Sequence, residues 1–104
     1  MTLDDYQRAA LRTANPALSA DERLMDAAAG LAEEAGEVLG IVRKRVFQQR
    51  EMTVERLTEE LGDVLWCLAV TADTLGISLD VIARANVDKL ERRHPHGFRA
   101  GEVR

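Results

Sequence analysis

The stretch that most constrains what this chain can fold into is 58–70, TEELGDVLWCLAV, which opens on acidic side chains and then turns apolar on every side. A helix that is apolar all round is normally buried. With about 100° between successive residues, Glu60 and Asp63 (i, i+3) project from one face, and Val64, Cys67 and Val70 continue that face inward. Two carboxylates are therefore carried to the edge of a core. Burying an unpaired anion is costly, so such groups are protonated, paired with bases or bound to cations. The neighbouring sequence supplies no obvious lysine partner, which leaves a metal as the economical answer.

A second acidic cluster strengthens that expectation. Residues 31–39 read LAEEAGEVL, with Glu34 and Glu37 again at i, i+3. With Leu31 at the centre of the apolar stripe, Ala35, Val38 and Val42 fall within roughly 40°, Glu34 about 60° away and Glu37 about 120° away. Glu33 falls near 200°, on the back of the helix, at roughly the same geometric standard. If the two helices pack antiparallel, the two pairs converge into an oxygen-rich set of Glu34, Glu37, Glu60 and Asp63. With no His or Cys among them, that set suits Mg²⁺, or Mn²⁺ as a substitute, better than zinc.

The rest of the chain fits a single all-α domain over residues 1–104. At this length a chain buries only roughly 60 to 70% of its unfolded surface. The net charge of −4 argues against general affinity for nucleic acid or an anionic membrane. The single cysteine, Cys67, can form no internal disulfide, which fits a reducing cytoplasm. The polar start MTLDDYQ does not read as a signal peptide, and the apolar run Val64 to Val70 is far too short to span a bilayer.

Cap and breaker signals predict four helices: Leu3 to Ala14, ended by Asn15-Pro16; a long one from the Ser19-to-Glu22 capping box to Gln48; Thr53 to Leu75, stopped by Gly76; and Leu79 to Arg93 after Ser78. Short connections predict a four-helix-bundle-type fold. Leu61, Val64, Leu65, Trp66, Leu68 and Val70 cover almost the whole circumference of the third helix, and little of the chain remains to surround it. The leftover apolar surface predicts an interface, hence a homodimer and possibly a dimer of dimers.

The two acidic clusters resemble the EExxE and ExxD signature of the MazG-like all-α nucleoside triphosphate pyrophosphohydrolases, matched by Glu33-Glu34-Ala35-Gly36-Glu37 and Glu60-Leu61-Gly62-Asp63. The tail from Asp88 to His96, DKLERRHPH, is similar to the segment that closes the catalytic domain of bacterial MazG proteins, so the resemblance runs from about Leu24 to Phe98. It implies a bundle completed by two subunits, Mg²⁺ held by the four acids, and hydrolysis of a nucleoside triphosphate to monophosphate and pyrophosphate in nucleotide-pool cleaning or control. Within it Glu33 belongs to the motif and would help orient a ligand or water, whereas its position on the helix favours solvent.

Phosphate would be held by cations. Asn86, Lys89 and Arg93 share a face of the fourth helix at i, i+3, i+7, although a basic C-terminus also complements the helix dipole. Arg92 carries less weight. Lys44 returns to the face of Glu37 seven residues on, within an Arg43-Lys44-Arg45 segment that also reads as a solvated basic face. Trp66 can stack on a base or serve core and interface; Cys67 reads as packing, Glu59 as surface, and His94 and His96 as a terminal lid or subunit contact. Three other readings stand beside the first. Phosphoribosyl-ATP pyrophosphohydrolases share the fold and both motifs. Di-iron bundles require Glu-x-x-His pairs, absent here. A non-enzymatic metal-binding dimerisation or regulatory module would need no phosphate clamp.

Overall fold

A computed structural model describes residues 1–101, and among them the only regular elements are four helices: α1 (Leu3–Leu11), α2 (Ala20–Gln48), α3 (Val54–Thr74) and α4 (Leu79–Arg93). Each opens on a hydroxyl that accepts from a backbone N–H of the first turn, from Thr2, Ser19, Thr53 and Ser78 respectively. At Thr2 and Ser19 the box is reciprocal, with Asp5 and Glu22 reaching back to the cap N–H. α3 ends on Gly76, whose φ of 72° lets the Ile77 N–H turn back to the Ala72 carbonyl at 2.9 Å.

α1 is shorter than its pattern predicts. It stops at Leu11, and Thr13 and Ala14 make tight i to i−3 turns instead. The Thr13 hydroxyl explains the early exit, because it donates to the Ala10 carbonyl at 2.7 Å while accepting the Trp66 indole N–H at 2.8 Å. A tertiary contact thus outweighs local propensity at this helix end.

α2 and α3 form an antiparallel hairpin, its register visible in pairs whose numbers rise on one helix as they fall on the other: Arg23 with Asp73, Gly30 with Cys67, Glu37 with Glu60. The chain then turns by 101° between α3 and α4, so α4 leads away from the hairpin and meets only α3 and α1. α1 lies over α3 and α4, and its Gln7 clips the three together. The buried Gln7 amide donates to the carbonyls of Ala69 (3.1 Å) and Ile77 (3.2 Å), and its oxygen accepts from the Leu79 N–H at 3.0 Å. Around it the core is small: Ala10, Ala69, Ala72 and Leu79, with Tyr6 and Trp66 packed against them. No helix among the described residues is long and apolar enough by itself to cross a membrane.

Replacing Gln7 with Ala takes the side-chain partner from the buried Leu79 N–H at the start of α4 and from the Ile77 carbonyl, at about 1 to 3 kcal/mol for an unsatisfied buried group. The expected loss is roughly 2 to 4 kcal/mol in urea unfolding at fixed protein concentration; a loss under about 0.5 kcal/mol, the usual scatter of an exposed site, would remove Gln7 from its structural role.

Candidate functional site

The seam of the α2–α3 hairpin carries the acidic motifs. One carboxylate oxygen each from Glu34, Glu37 and Glu60 lies within 4.8 Å of the other two, with Glu34 and Glu60 half-buried and Glu37 exposed. Glu34 Oε2 and Glu60 Oε2 are shut off from solvent and accept no hydrogen bond. Oxygens in that condition are rare because they forfeit water and gain nothing in return. Glu37 answers part of the strain. A hydrogen bond to Glu60 and the Glu60 charge raise its pKa above the usual glutamate range; burial and Asp63 add to this, and Arg56 opposes it.

Asp63 does not close the triangle. It lies beside it, lining with Glu34 a cleft of about 340 Å³ whose walls also include Asp26, Glu33 and Trp66, over a floor of Ala29, Gly30 and Cys67. Gly30 matters to this floor because a Cβ there would sit 3.1 Å from Cys67 Sγ. The surrounding acids leave their mark on the thiol: burial first, then the charges of Glu34, Asp63, Asp26 and Glu33, raise the Cys67 pKa. Cys67 is thus a protonated packing group, as its place in the apolar run predicts.

The structure therefore brings Glu34, Glu37 and Glu60 to one point, with Asp63 adjoining on the cleft side. Glu33 is exposed, as its helical position requires, but it borders the cleft rather than facing away from it. Glu59 is surface. At the other end of the seam Lys44 lines a second depression, also about 340 Å³, with Arg50 and Arg56. Asn86 and Lys89 lie elsewhere, in a 560 Å³ groove with Leu65, Leu68 and Arg92. Leu65 and Leu68 project from α3 on the side opposite Asp63 and Cys67. Within one chain, then, Asn86 and Lys89 do not share the acids' depression; Arg93 is exposed on the same helix, and it is Arg92 that lines the groove. His94 packs its ring near Phe98, centroids 6.4 Å apart, and His96 is exposed.

Two residues of the seam escape a reading based on the motifs alone. Asp26 stands seven residues before Glu33, on the same strip of α2, and Arg56 stands four before Glu60. Those i, i+7 and i, i+4 spacings are the signals that find them. An all-oxygen set containing buried acceptors without donors could hold a hard divalent cation.

A profile of the MazG nucleotide pyrophosphohydrolase domain matches residues 24–98. The Gene 37 protein of Mycobacterium phage L5 is 33% identical over 110 residues, covering 97% of this chain and 96% of the phage protein. Protein YvdC of Bacillus subtilis strain 168 is 35% identical over 75 residues, covering 64% of this chain and 71% of that protein. No solved structure matches the chain at a significant level.

The raised Glu37 pKa fixes a sign. Its protonated form is favoured in the fold, so its contribution to stability is complete below the unfolded glutamate's pKa and is lost as pH rises through the raised value. Glu37→Gln removes a charge from the cluster, and is expected to raise the melting temperature of protein in EDTA at pH 7 and to converge on wild type at acid pH. A variant melting below wild type at neutral pH would contradict the repulsion described here.

Proposed function

The chain belongs to the MazG nucleotide pyrophosphohydrolase family, and from that premise we propose that it is a Mg²⁺-dependent hydrolase splitting a nucleoside triphosphate into the monophosphate and pyrophosphate. The observation that carries this reading is the pair of buried oxygens, Glu34 Oε2 and Glu60 Oε2, left without donors at the positions of the family's acidic motifs. Glu34, Glu37, Glu60 and Asp63 are the proposed ligands. When bound, Mg²⁺ or Mn²⁺ supplies the Lewis acidity that activates water and neutralises charge gathering on the leaving pyrophosphate. Glu33, bordering the cleft next to Glu34, is placed to orient that water. Lys44 and Arg56 flank the acids on the other side and are suited to the β- and γ-phosphates, as a point charge and a planar fork respectively.

The remaining phosphate contacts require a second copy. The radius of gyration is 16.4 Å, against about 13 Å for a compact chain of this length. Large apolar side chains stay open on all four helices, among them Phe47 at 75%, Leu61 at 55% and Val87 at 50% exposure. A homodimer, or a pair of such dimers, covers such faces, and brings Asn86, Lys89 and Arg93 of one subunit against the phosphates bound by its partner. The biological role that follows is removal or control of nucleotides in the pool.

Product analysis with each NTP and dNTP and with phosphoribosyl-ATP is the test. Mg²⁺-dependent monophosphate and pyrophosphate from an ordinary nucleotide is the expected result; turnover of phosphoribosyl-ATP alone would replace it with the histidine-synthesis reaction. Glu60→Ala should lower kcat/KM by more than the roughly 10- to 100-fold that loss of an outer partner of a metal ligand costs. For assembly, light scattering on the eluted protein should give at least twice the chain mass of 11.5 kDa at micromolar concentration; a monomer there would return Lys89 to the surface.

A further inference from the structure

The α2–α3 seam is polarised along its length. Lys44, Arg50 and Arg56 lie at one end, outnumbering the Glu51 that lines the same depression. The other end is a cleft that Glu34 and Asp63 border on the triangle side and that Asp26, Glu33 and Trp66 line beyond them. Arg23, one turn before Asp26, is already engaged by Asp73 at 2.9 Å. A polyphosphate is repelled from that second end, so a nucleotide held by its phosphates at the triangle must direct its nucleoside there. The reach is sufficient, because Asp26 precedes Glu34 by eight residues, about 12 Å along the helix.

The cleft at that end has one aromatic wall. Trp66 forms one wall, and its orientation is fixed by the indole N–H donating to Thr13 Oγ1 at 2.8 Å. Ala29 and Gly30 keep the floor low, and Gly30 cannot gain a Cβ without meeting Cys67 Sγ at 3.1 Å. The polar groups are all of one kind. Asp26 and Glu33 are one strip of carboxylates that, among the described residues, make no hydrogen bond or ion pair. With the indole N–H occupied, the cleft offers acceptors and, apart from a weakly donating thiol, no donor.

Resting on the pyrophosphohydrolase reading for the placement of the phosphates, we propose that this cleft is the nucleobase subsite, with the base against Trp66 and Asp26 accepting from an exocyclic amino group. The site then selects amino-bearing bases, such as cytosine and adenine, over bases such as uracil that present carbonyl oxygens in the amino position. A carbonyl facing Asp26 places acceptor against acceptor.

Trp66 is the chain's one tryptophan, so its fluorescence reports on the cleft with no dependence on turnover. Cytidine, excited at the red edge of the indole band, should quench it saturably, and uridine should not. Equal quenching by the two, or none by either, overturns the subsite. In parallel, kcat/KM for dCTP should exceed that for dUTP by roughly 10- to 100-fold, the range of a charge-assisted hydrogen bond, and Asp26→Asn, whose amide donates as well as accepts, should bring the ratio toward unity by improving dUTP. A ratio unchanged by Asp26→Asn, with Mg²⁺-dependent pyrophosphate release intact, overturns the subsite and leaves the hydrolase. Cytidine-selective quenching in a protein that hydrolyses no nucleotide supports the subsite and overturns the hydrolase.

Discussion

Like charge held across a helix seam is the constraint from which the rest of this structure follows. Glu34 and Glu37 on α2 face Glu60 on α3 across the hairpin seam, and two of their oxygens are buried without donors. Nothing in folding by itself rewards that arrangement. Carboxylates brought together in a partly desolvated place repel one another, and here the Glu60 carboxylate raises the Glu37 pKa while the Arg56 charge opposes the rise. A seam that carries such a cost needs compensation elsewhere along its length. The hairpin supplies it on the far side of the cleft, where Gly30 lets the helices approach closely enough to seat Cys67, and where Arg23 ties α2 to the end of α3 through Asp73.

That compensation leaves the remainder of the molecule thin. The buried core is mostly alanine, and Gln7, rather than a large side chain, joins α1 to α3 and α4. Small residues allow α1 to lie close on α3, but they turn the bulky positions outward, so Leu61, Val81 and Val87 face solvent. Because α4 departs at 101°, it neither covers α2 nor reaches the acids. A chain folded in this way leaves much of its large apolar surface uncovered.

Much of this was legible in the sequence wherever the cause is local. The caps at Ser19, Thr53 and Ser78 and the stop at Gly76 set three helices to within a residue or so, since each depends only on hydrogen bonds within a turn. The meeting of Glu34, Glu37 and Glu60 was legible too, because i, i+3 spacing on two apolar stripes leaves few ways for the helices to pair. What escaped depends on contacts between elements. The end of α1 is set by Trp66 reaching Thr13 across the fold. Asp63 lies beside the triangle rather than in it because the register places it one step toward Cys67. Asp26 and Arg56 join the site only because their helices run antiparallel, which brings residues far outside the motifs to the same seam. No periodicity announces a 101° turn, and so the separation of Lys89 from the acids was invisible until α4 was placed.

The two faces of α3 connect these points. One face bears Asp63 and Cys67 against α2, and the opposite face presents Leu65 and Leu68 in the groove that Asn86 and Lys89 border. A monomer must leave those basic groups on the wrong side of α3 for any ligand held by the acids. In the homodimer proposed above, one contact serves two ends: covering the apolar groove stabilises the fold, and carrying α4 to the neighbouring seam supplies the missing cations. Substrate binding and assembly would then be linked. On that proposal a triphosphate held partly by the acids' metal and partly by the partner's α4 would bridge the subunits, and would tighten the dimer by the same factor by which dimerisation tightened its binding.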